Sequence, residues 1–169
     1  MKKVTVLAII CFLFVQCGYH LRGRGSFLPE HIKNIYIPMF ENKTTRFQLD
    51  VKLTQSVIDE LVARGKLEIV GNIQSADAVL NGEIVSFRAT PVGFTAQTTA
   101  DRYSITIVSK IVVRDLINKK VLYRNTYFPY QTEYEVPEGT DFETVESEAI
   151  DNIGQKFARS LIVNILEGF

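Results

Sequence analysis

Few side chains in this sequence could perform acid–base or metal chemistry. His20 and His31 are the only histidines, too few for the three or four ligands that a zinc site requires. Four acidic residues close together could in principle act as paired carboxylates. They are Glu133, Glu135, Glu138 and Asp141. We interpret them as a solvated loop that leads into a helix, and we predict no enzyme activity, no cofactor and no metal.

Basic side chains on two predicted central strands are better candidates for binding. Arg88, Arg102, Lys110 and Arg114 lie on or beside these strands. A guanidinium engages phosphate through two parallel hydrogen bonds. Arg88 and Arg102 are therefore candidate contacts for lipid phosphates, and ordinary surface charge is the alternative. The tyrosines between Tyr103 and Tyr130 suit either a wet interface or the core.

The N-terminus carries a third kind of chemistry. Lys2 and Lys3 precede an apolar run from Val4 to Val15, which is the layout of a secretory signal. The run is shorter than the roughly 20 residues that span a bilayer. Cys17 follows it, with Gly18 next.

This arrangement resembles a bacterial lipoprotein signal. The resemblance implies that residues 1–16 are removed and that Cys17 receives acyl chains such as palmitate, which together hold a protein durably on a membrane. The residue after the cysteine is Gly18 and not Asp, a pattern that resembles lipoproteins passed on to the outer membrane. An uncleaved signal anchor, or a soluble protein with a stray cysteine, remains the alternative. Cys11 lies inside the apolar run and fits an acceptor site less well.

Composition predicts one packed domain. Removing residues 1–16 leaves 153 of the 169 residues, with 17 basic and 19 acidic side chains, so no nucleic-acid footprint is present. Residues 17–32 read as an extended lead-in and residues 33–169 as a single α/β sandwich domain. The mature chain has no cysteine pair for a disulfide, so we expect packing alone to stabilise it.

The first half of the domain reads as strand, helix, strand. Ile35 to Phe40 predicts a strand that Pro38 confines to an edge or a bulge. Thr45 and Gln48 have the spacing of a capping box, and Gly65 ends the helix. A second strand covers Leu67 to Val70. The apolar side of the helix comprises Phe47, Val51, Thr54, Ile58, Leu61 and Val62.

Three further strands and a helix complete the pattern. Val79 to Phe87 is a strand in which Gly82 suggests a bulge or a close backbone approach. A polar loop containing Pro91 and Gly93 follows, and the strands Tyr103–Arg114 and Val121–Tyr130 form a hairpin. We expect residues 131–140 to form a loop, with a second capping box at Thr140 and Glu143. The apolar stripe of the helix that follows comprises Phe142, Val145, Ala149, Ile153, Phe157, Leu161 and Ile165.

These elements predict an α+β fold. We expect a two-layer sandwich in which two helices cover one face of a mixed, mostly antiparallel sheet of four to five strands.

The residues from Cys17 to Gly23, which read Cys-Gly-Tyr-His-Leu-Arg-Gly, resemble the mature N-terminus of the LPS-assembly lipoproteins of the LptE type. The resemblance continues through Ile35–Asn42, Ala76–Gly82 and Ala100–Ile107 to the terminal helix. It implies a non-enzymatic outer-membrane lipoprotein on the periplasmic face. It also implies two partners: an LptD-type β-barrel, which the lipoprotein plugs and helps to assemble, and lipopolysaccharide, whose delivery to the cell surface it assists.

Other envelope proteins share part of this pattern. Ile35–Asn42 followed by a helix, and Ala76–Gly82, also resemble the secretion-pore lipoproteins of the curli type and the N-terminal domain of TolB-like proteins. A homo-oligomeric ring or docking to envelope machinery is therefore the alternative function. A lipid-anchored hydrolase is a third hypothesis, and it lacks a nucleophile–base pair in the sequence.

Overall fold

The computed structural model of the protein describes residues 28–94, 100–137, 140 and 142–167. Within these ranges the chain forms the predicted α+β fold, with a six-stranded mixed sheet and two α-helices. In chain order the elements are β1 (Asn34–Tyr36), β2 (Glu41–Asn42), α1 (Leu49–Arg64), β3 (Glu68–Ile69), a 3-10 turn (Ile73–Ser75), β4 (Ala78–Phe94), β5 (Ala100–Asp115), β6 (Lys120–Glu135) and α2 (Phe142–Glu167).

The strand order is β3-β1-β4-β5-β6, and β2 also lies beside β4. The short strands β1 and β2 pair with β4 in parallel, whereas β4, β5 and β6 are antiparallel. Each of the three long strands has 16 or 17 residues and spans roughly 50 Å. We call the end with the β5–β6 turn the base, and the end with Phe94 and Glu135 the tip.

The predicted first strand is interrupted, which raises the strand number above the expected four to five. Residues 34–36 and 41–42 both pair with β4, and Pro38 lies between the two pairs. Proline has no backbone N–H to donate to a ladder. The predicted single strand with Pro38 at an edge or a bulge is therefore wrong: Pro38 lies in no strand and separates β1 from β2.

Helix α1 begins later than predicted. It starts at Leu49, its N-cap is Gln48 in the left-handed region (φ 56°), and no side chain caps it. The preceding residues use a different local network: Asn42 Oδ1 accepts from Thr44 N, and Asn42 Nδ2 donates to Arg46 O. Because these bonds shape a loop instead of a helix turn, the capping box at Thr45 is wrong.

The buried face of α1 is also rotated from the predicted one. Leu49, Leu53, Val57 and Leu61 form the buried stripe, while three of the residues predicted to be buried are exposed. The exposed residues are Phe47, Val51 and Val62. A leucine-rich stripe at four-residue spacing buries more apolar surface than the mixed one, which explains the rotation. Gly65 ends the helix with φ 61° as predicted.

Two predicted loops belong to strands. Pro91 pairs with Tyr103 and Gly93 with Arg102 in β4 and β5, while Thr132 of β6 pairs with Ile105. Near the tip, the outer side of β4 has no neighbouring strand within the described chain. A proline there removes no ladder hydrogen bond, so the strand continues through it. Residues 95–99 of the predicted polar loop lie outside the described ranges.

Gly82 permits a close approach, as predicted. A Cβ at this position would lie 2.7 Å from three ring atoms of Phe40. The bulge in β4 occurs between Ile84 and Ser86. Gly82 therefore serves the contact between the sheet and the β1–β2 segment.

Helix α2 buries the predicted stripe of Ala149, Ile153, Phe157, Leu161 and Ile165. The helix begins at Phe142, so Thr140 lies one residue before the N-cap position. The predicted capping box of Thr140 and Glu143 is therefore wrong. The Thr140 hydroxyl instead donates to the Pro137 carbonyl at 2.6 Å. Neither described helix has the length and apolarity needed to cross a bilayer.

The two helices run parallel to each other. Arg46, just before α1, pairs with Glu146 at 2.8 Å, and Lys52 pairs with Asp151. Gly154 lies so close to Ser56 that a Cβ would meet its hydroxyl at 2.7 Å. Together the helices form one layer over the sheet.

Candidate functional site on the open face of the sheet

The sheet has one covered face and one open face. In β5 the side chains of Ile105, Ile107 and Ile111 are fully buried towards the helices. The intervening residues, such as Arg102 and Lys110, point the opposite way because side chains alternate along a strand. We call the side of the sheet that faces away from the helices the open face.

Polar cross-strand pairs occupy much of this face. Arg102 Nη1 lies 3.4 Å from Glu133, and Lys110 Nζ lies 2.8 Å from Glu83. Gln131 Nε2 donates to Ser104 Oγ at 2.9 Å. Exposed pairs of this kind stabilise a fold by at most about 1 kcal/mol. Their main effect is to place paired charges and polar groups on the exposed surface of the sheet.

The two arginines predicted to contact phosphate share this face but differ in their surroundings. Arg88 lies opposite Thr106, is exposed, and forms no ion pair within the described chain. Arg102 lies four residues before Thr106 in β5, about 13 Å away along the strand, and is engaged by Glu133. Arg88 is therefore the more available guanidinium.

The base end of the open face carries further cations. Arg114 of β5 is exposed. Arg124 of β6 lies opposite Val112, which is two residues before Arg114 in β5. The sequence alone does not single out Arg124, because only the register of β6 places it beside β5. The alternation of β6 alone would have shown which face it occupies, but not what it faces.

Most of the hairpin aromatics belong to the core. Tyr123 and Phe128 are buried, and the rings of Phe128 and Tyr130 each pack edge-to-face on Phe157 with centroids 5.9 Å apart. Burial raises the pKa of the Tyr130 hydroxyl. Tyr127 is the exposed exception, so the structure favours the core role over the interface role for the others.

A polar cluster at the base could not be predicted from the sequence, because His31 and Asp115 are far apart in the chain. His31 Nε2 lies 2.8 Å from Asp115 Oδ2, and Asn118 Nδ2 donates to the same oxygen at 2.9 Å. Burial alone would raise the pKa of Asp115, but hydrogen bonds from the Asn118 backbone and side chain and from His31 lower it to about 2. Among the described residues, no three His, Cys, Asp or Glu side chains are grouped to hold a metal.

Of the remaining candidate residues, two lie in a strand and the others lie outside the described residues. Glu133 and Glu135, predicted to lie in a loop, belong to β6. Their predicted companions Glu138 and Asp141 lie outside the described residues, as do Cys17 and His20.

Comparison with solved structures finds bacterial proteins of similar fold. A hypothetical protein from Chlamydia trachomatis is 12% identical, with a TM-score of 0.55 over 79% of this chain and 95% of that one. A protein from Xanthomonas campestris is 9% identical, with a TM-score of 0.55 over 81% and 86%. The uncharacterized lipoprotein B from Nitrosomonas europaea is 12% identical, with a TM-score of 0.50 over 88% and 90%. At these identities the likeness is one of fold.

No curated protein sequence matches the chain. The family model named LptE and described as lipopolysaccharide-assembly matches residues 32–165. This match covers all six strands and nearly all of both helices. The chain therefore belongs to the LptE family of lipopolysaccharide-assembly lipoproteins.

Proposed function

We propose that the protein is an outer-membrane lipoprotein, anchored through acyl chains on Cys17, that plugs an LptD-type β-barrel and helps to assemble it. The family match over residues 32–165 carries this proposal. In this role the protein performs no catalysis. It sits on the periplasmic side of the outer membrane and assists delivery of lipopolysaccharide to the cell surface.

The open face suits contact with the inside of a barrel. Interiors of large outer-membrane barrels are polar, and this face presents the hydrated pairs Arg102–Glu133 and Lys110–Glu83. The covered face keeps its apolar surface under the helices. A plug that binds only the folded barrel also stabilises that barrel by mass action.

Copurification tests the partner. A detergent pull-down of the native protein, followed by mass identification, should recover one large barrel protein in a one-to-one ratio. A homo-oligomeric ring without a barrel would favour the curli-type alternative. Charge reversal sharpens the test: Arg88→Glu on the open face should reduce recovery of the barrel, while Arg159→Glu on the helical layer is the matched control and should not.

Of the two predicted arginines, Arg88 is the better placed to meet lipopolysaccharide phosphate, because no carboxylate occupies its guanidinium in the described chain. Arg88→Ala should weaken lipopolysaccharide binding more than Arg102→Ala, whose guanidinium already contacts Glu133. The measurement is retention of purified lipopolysaccharide by the variants. Unchanged binding when both arginines are replaced would remove this part of the proposal.

Acylation has its own test. Metabolic labelling with palmitate should label the wild-type protein and leave Cys17→Ala unlabelled. Label that persists in Cys17→Ala would assign the acyl chain elsewhere.

A further inference from the structure

The turn between β5 and β6 is held in one conformation by hydrogen bonds to a buried carboxylate. Asp115 Oδ1 accepts from the backbone N–H groups of Ile117 and Asn118, each at 2.9 Å. The other carboxylate oxygen accepts from the Asn118 side chain. Lys119 completes the turn in the left-handed region with φ 55°. A buried carboxylate thus fixes the direction in which residues 116–119 project.

The fixed turn presents apolar side chains to solvent. Ile117 is 56% exposed and Val121 is 44% exposed. Scattered apolar side chains are ordinary on protein surfaces, so their exposure alone identifies no site. What distinguishes this pair is the charge around it.

Four exposed cations surround the turn: Arg114, Lys119, Lys120 and Arg124. None of them forms an ion pair with any residue that the structure describes. The acid of the turn, Asp115, is 2% exposed and is engaged by its own hydrogen bonds. The base of the hairpin therefore combines an apolar apex with uncompensated positive charge.

The segment that leads to the N-terminus joins the domain at this same end. His31 contacts Asp115 inside the turn, and Lys33 N and Asn34 N both donate to Asp77 Oδ2. The described chain begins at Leu28, eleven residues after Cys17, a stretch that reaches at most about 40 Å. The acyl anchor of the proposed function, on which this step rests, would therefore hold the base, and not the tip, within reach of the bilayer.

We propose that the base of the β5–β6 hairpin docks on the surface of an anionic phospholipid bilayer, with Ile117 entering the headgroup layer. Apolar side chains beside Lys and Arg are the composition of surfaces that lie on membranes. Anionic lipids attract each basic residue near the surface, enough to change binding about fivefold per charge. The acyl chains supply attachment, and this contact sets the orientation of the domain on the membrane.

A unique tryptophan tests the contact directly, because the natural sequence has none. The full-length protein carrying Ile117→Trp is reconstituted with phosphatidylcholine vesicles that contain about one-third phosphatidylglycerol, with and without brominated acyl chains. We expect a blue shift of the emission and quenching by the brominated lipid. Phe94→Trp at the tip, 59% exposed in the natural protein, is the matched control and should show neither effect.

Charge neutralisation is the second arm. Lys119→Asn with Lys120→Gln, in the Ile117→Trp background, should reduce docking about fivefold per lysine. Lys156→Gln with Arg159→Gln on α2 should leave it unchanged. Thermal melts that match the parent protein establish that each variant folds.

Several outcomes would overturn the proposal. The first is that the tryptophan of Ile117→Trp is not quenched although flotation shows the protein bound to the vesicles. The second is that the protein neither floats with the vesicles nor shows quenching. The third is that quenching is equally strong on vesicles of phosphatidylcholine alone. The vesicles contain no barrel, so failure of barrel copurification leaves this result intact. A chain without acyl groups would still report docking through the tryptophan.

Discussion

At the scale of single residues, Asp115 has the largest structural role that its sequence position does not reveal. Its carboxylate fixes the β5–β6 turn through Ile117 N and Asn118 N and also holds His31. A charged side chain with this degree of burial is stable only when its hydrogen bonds are made. The residue thus links the lead-in segment to the hairpin.

Asp115→Asn should destabilise the protein and flatten its acid dependence. The pKa of Asp115 is about 2 in the fold and near 3.8 for a free aspartate side chain. A carboxylate with a lowered pKa stabilises the fold fully above pH 3.8 and loses that effect as the pH falls through about 2. We expect the melting temperature at pH 7 to drop by roughly 5 °C.

Thermal melts between pH 7 and pH 2 check this prediction. The wild-type melting temperature should fall more steeply than that of Asp115→Asn over the acid range. Asp151→Asn, in an exposed pair with Lys52, is the control and should change the melt little. Equal acid slopes for Asp115→Asn and the wild type would contradict the assignment.

At the scale of elements, the ends of α1 depend on left-handed backbone conformations more than on side-chain capping patterns. Gln48 and Gly65 flank α1 with φ values of 56° and 61°. A left-handed conformation costs a side-chain-bearing residue about 1–2 kcal/mol. Glycine avoids that cost, so the two ends of one helix differ in strain.

Gln48→Gly should raise the free energy of unfolding by about 0.5–1 kcal/mol, because it removes the strain while adding some unfolded-state entropy. The Gln48 side chain makes no cap hydrogen bond that would be lost. Gly65→Ala should act oppositely by a similar amount; a Cβ there meets nothing within 4 Å, so only φ is at issue. Urea titrations of both variants decide the signs, and destabilisation by Gln48→Gly would refute the account.

Gly82 shows how one element constrains another. Gly82→Ala places a Cβ 2.7 Å from the Phe40 ring, which is itself buried and cannot move freely. Overpacking of this kind costs about 1–3 kcal/mol. Gly71→Ala, where the added Cβ has open space, is the matched control in the same urea titration. Addition of Phe40→Leu should restore part of the loss, and a neutral Gly82→Ala would argue against the close contact.

At the scale of the whole molecule, Phe157 joins the helical layer to the sheet. Its ring is fully buried and meets Phe128 and Tyr130 edge-to-face. The two aromatics belong to the last strand, so this contact closes the sandwich between β6 and α2. Its loss would separate elements that are adjacent in sequence but packed across layers.

Phe157→Ala should lower the free energy of unfolding by about 3–5 kcal/mol, since a large buried ring leaves a cavity. Tyr127→Ala, on the same hairpin but exposed, should stay within about 0.5 kcal/mol. Chemical denaturation of both proteins provides the comparison. A small effect at Phe157 would mean that the layers are joined elsewhere.

The amino-acid sequence determined the order of the main elements and the buried faces of β5 and α2. The alternation of Ile105, Ile107, Ile111 and Val113 in β5, and the helical stripe of α2, both appear in the core. Local periodicity is enough for these because one face of each must be buried. The end of α1 at Gly65 is likewise a local property of one residue.

Only the tertiary structure decided the start and rotation of α1, the length of β4 through Pro91, and the partners of the charged residues. Each depends on a contact that is remote in sequence: α1 turns its leucines towards the sheet, and β4 continues because β5 pairs with it. The same holds for function. The arginines were visible in the sequence, but pairing of β5 with β6 left Arg102 engaged by Glu133, whereas Arg88 has no ion pair among the described residues. Such contacts follow from packing and register, which no local pattern encodes.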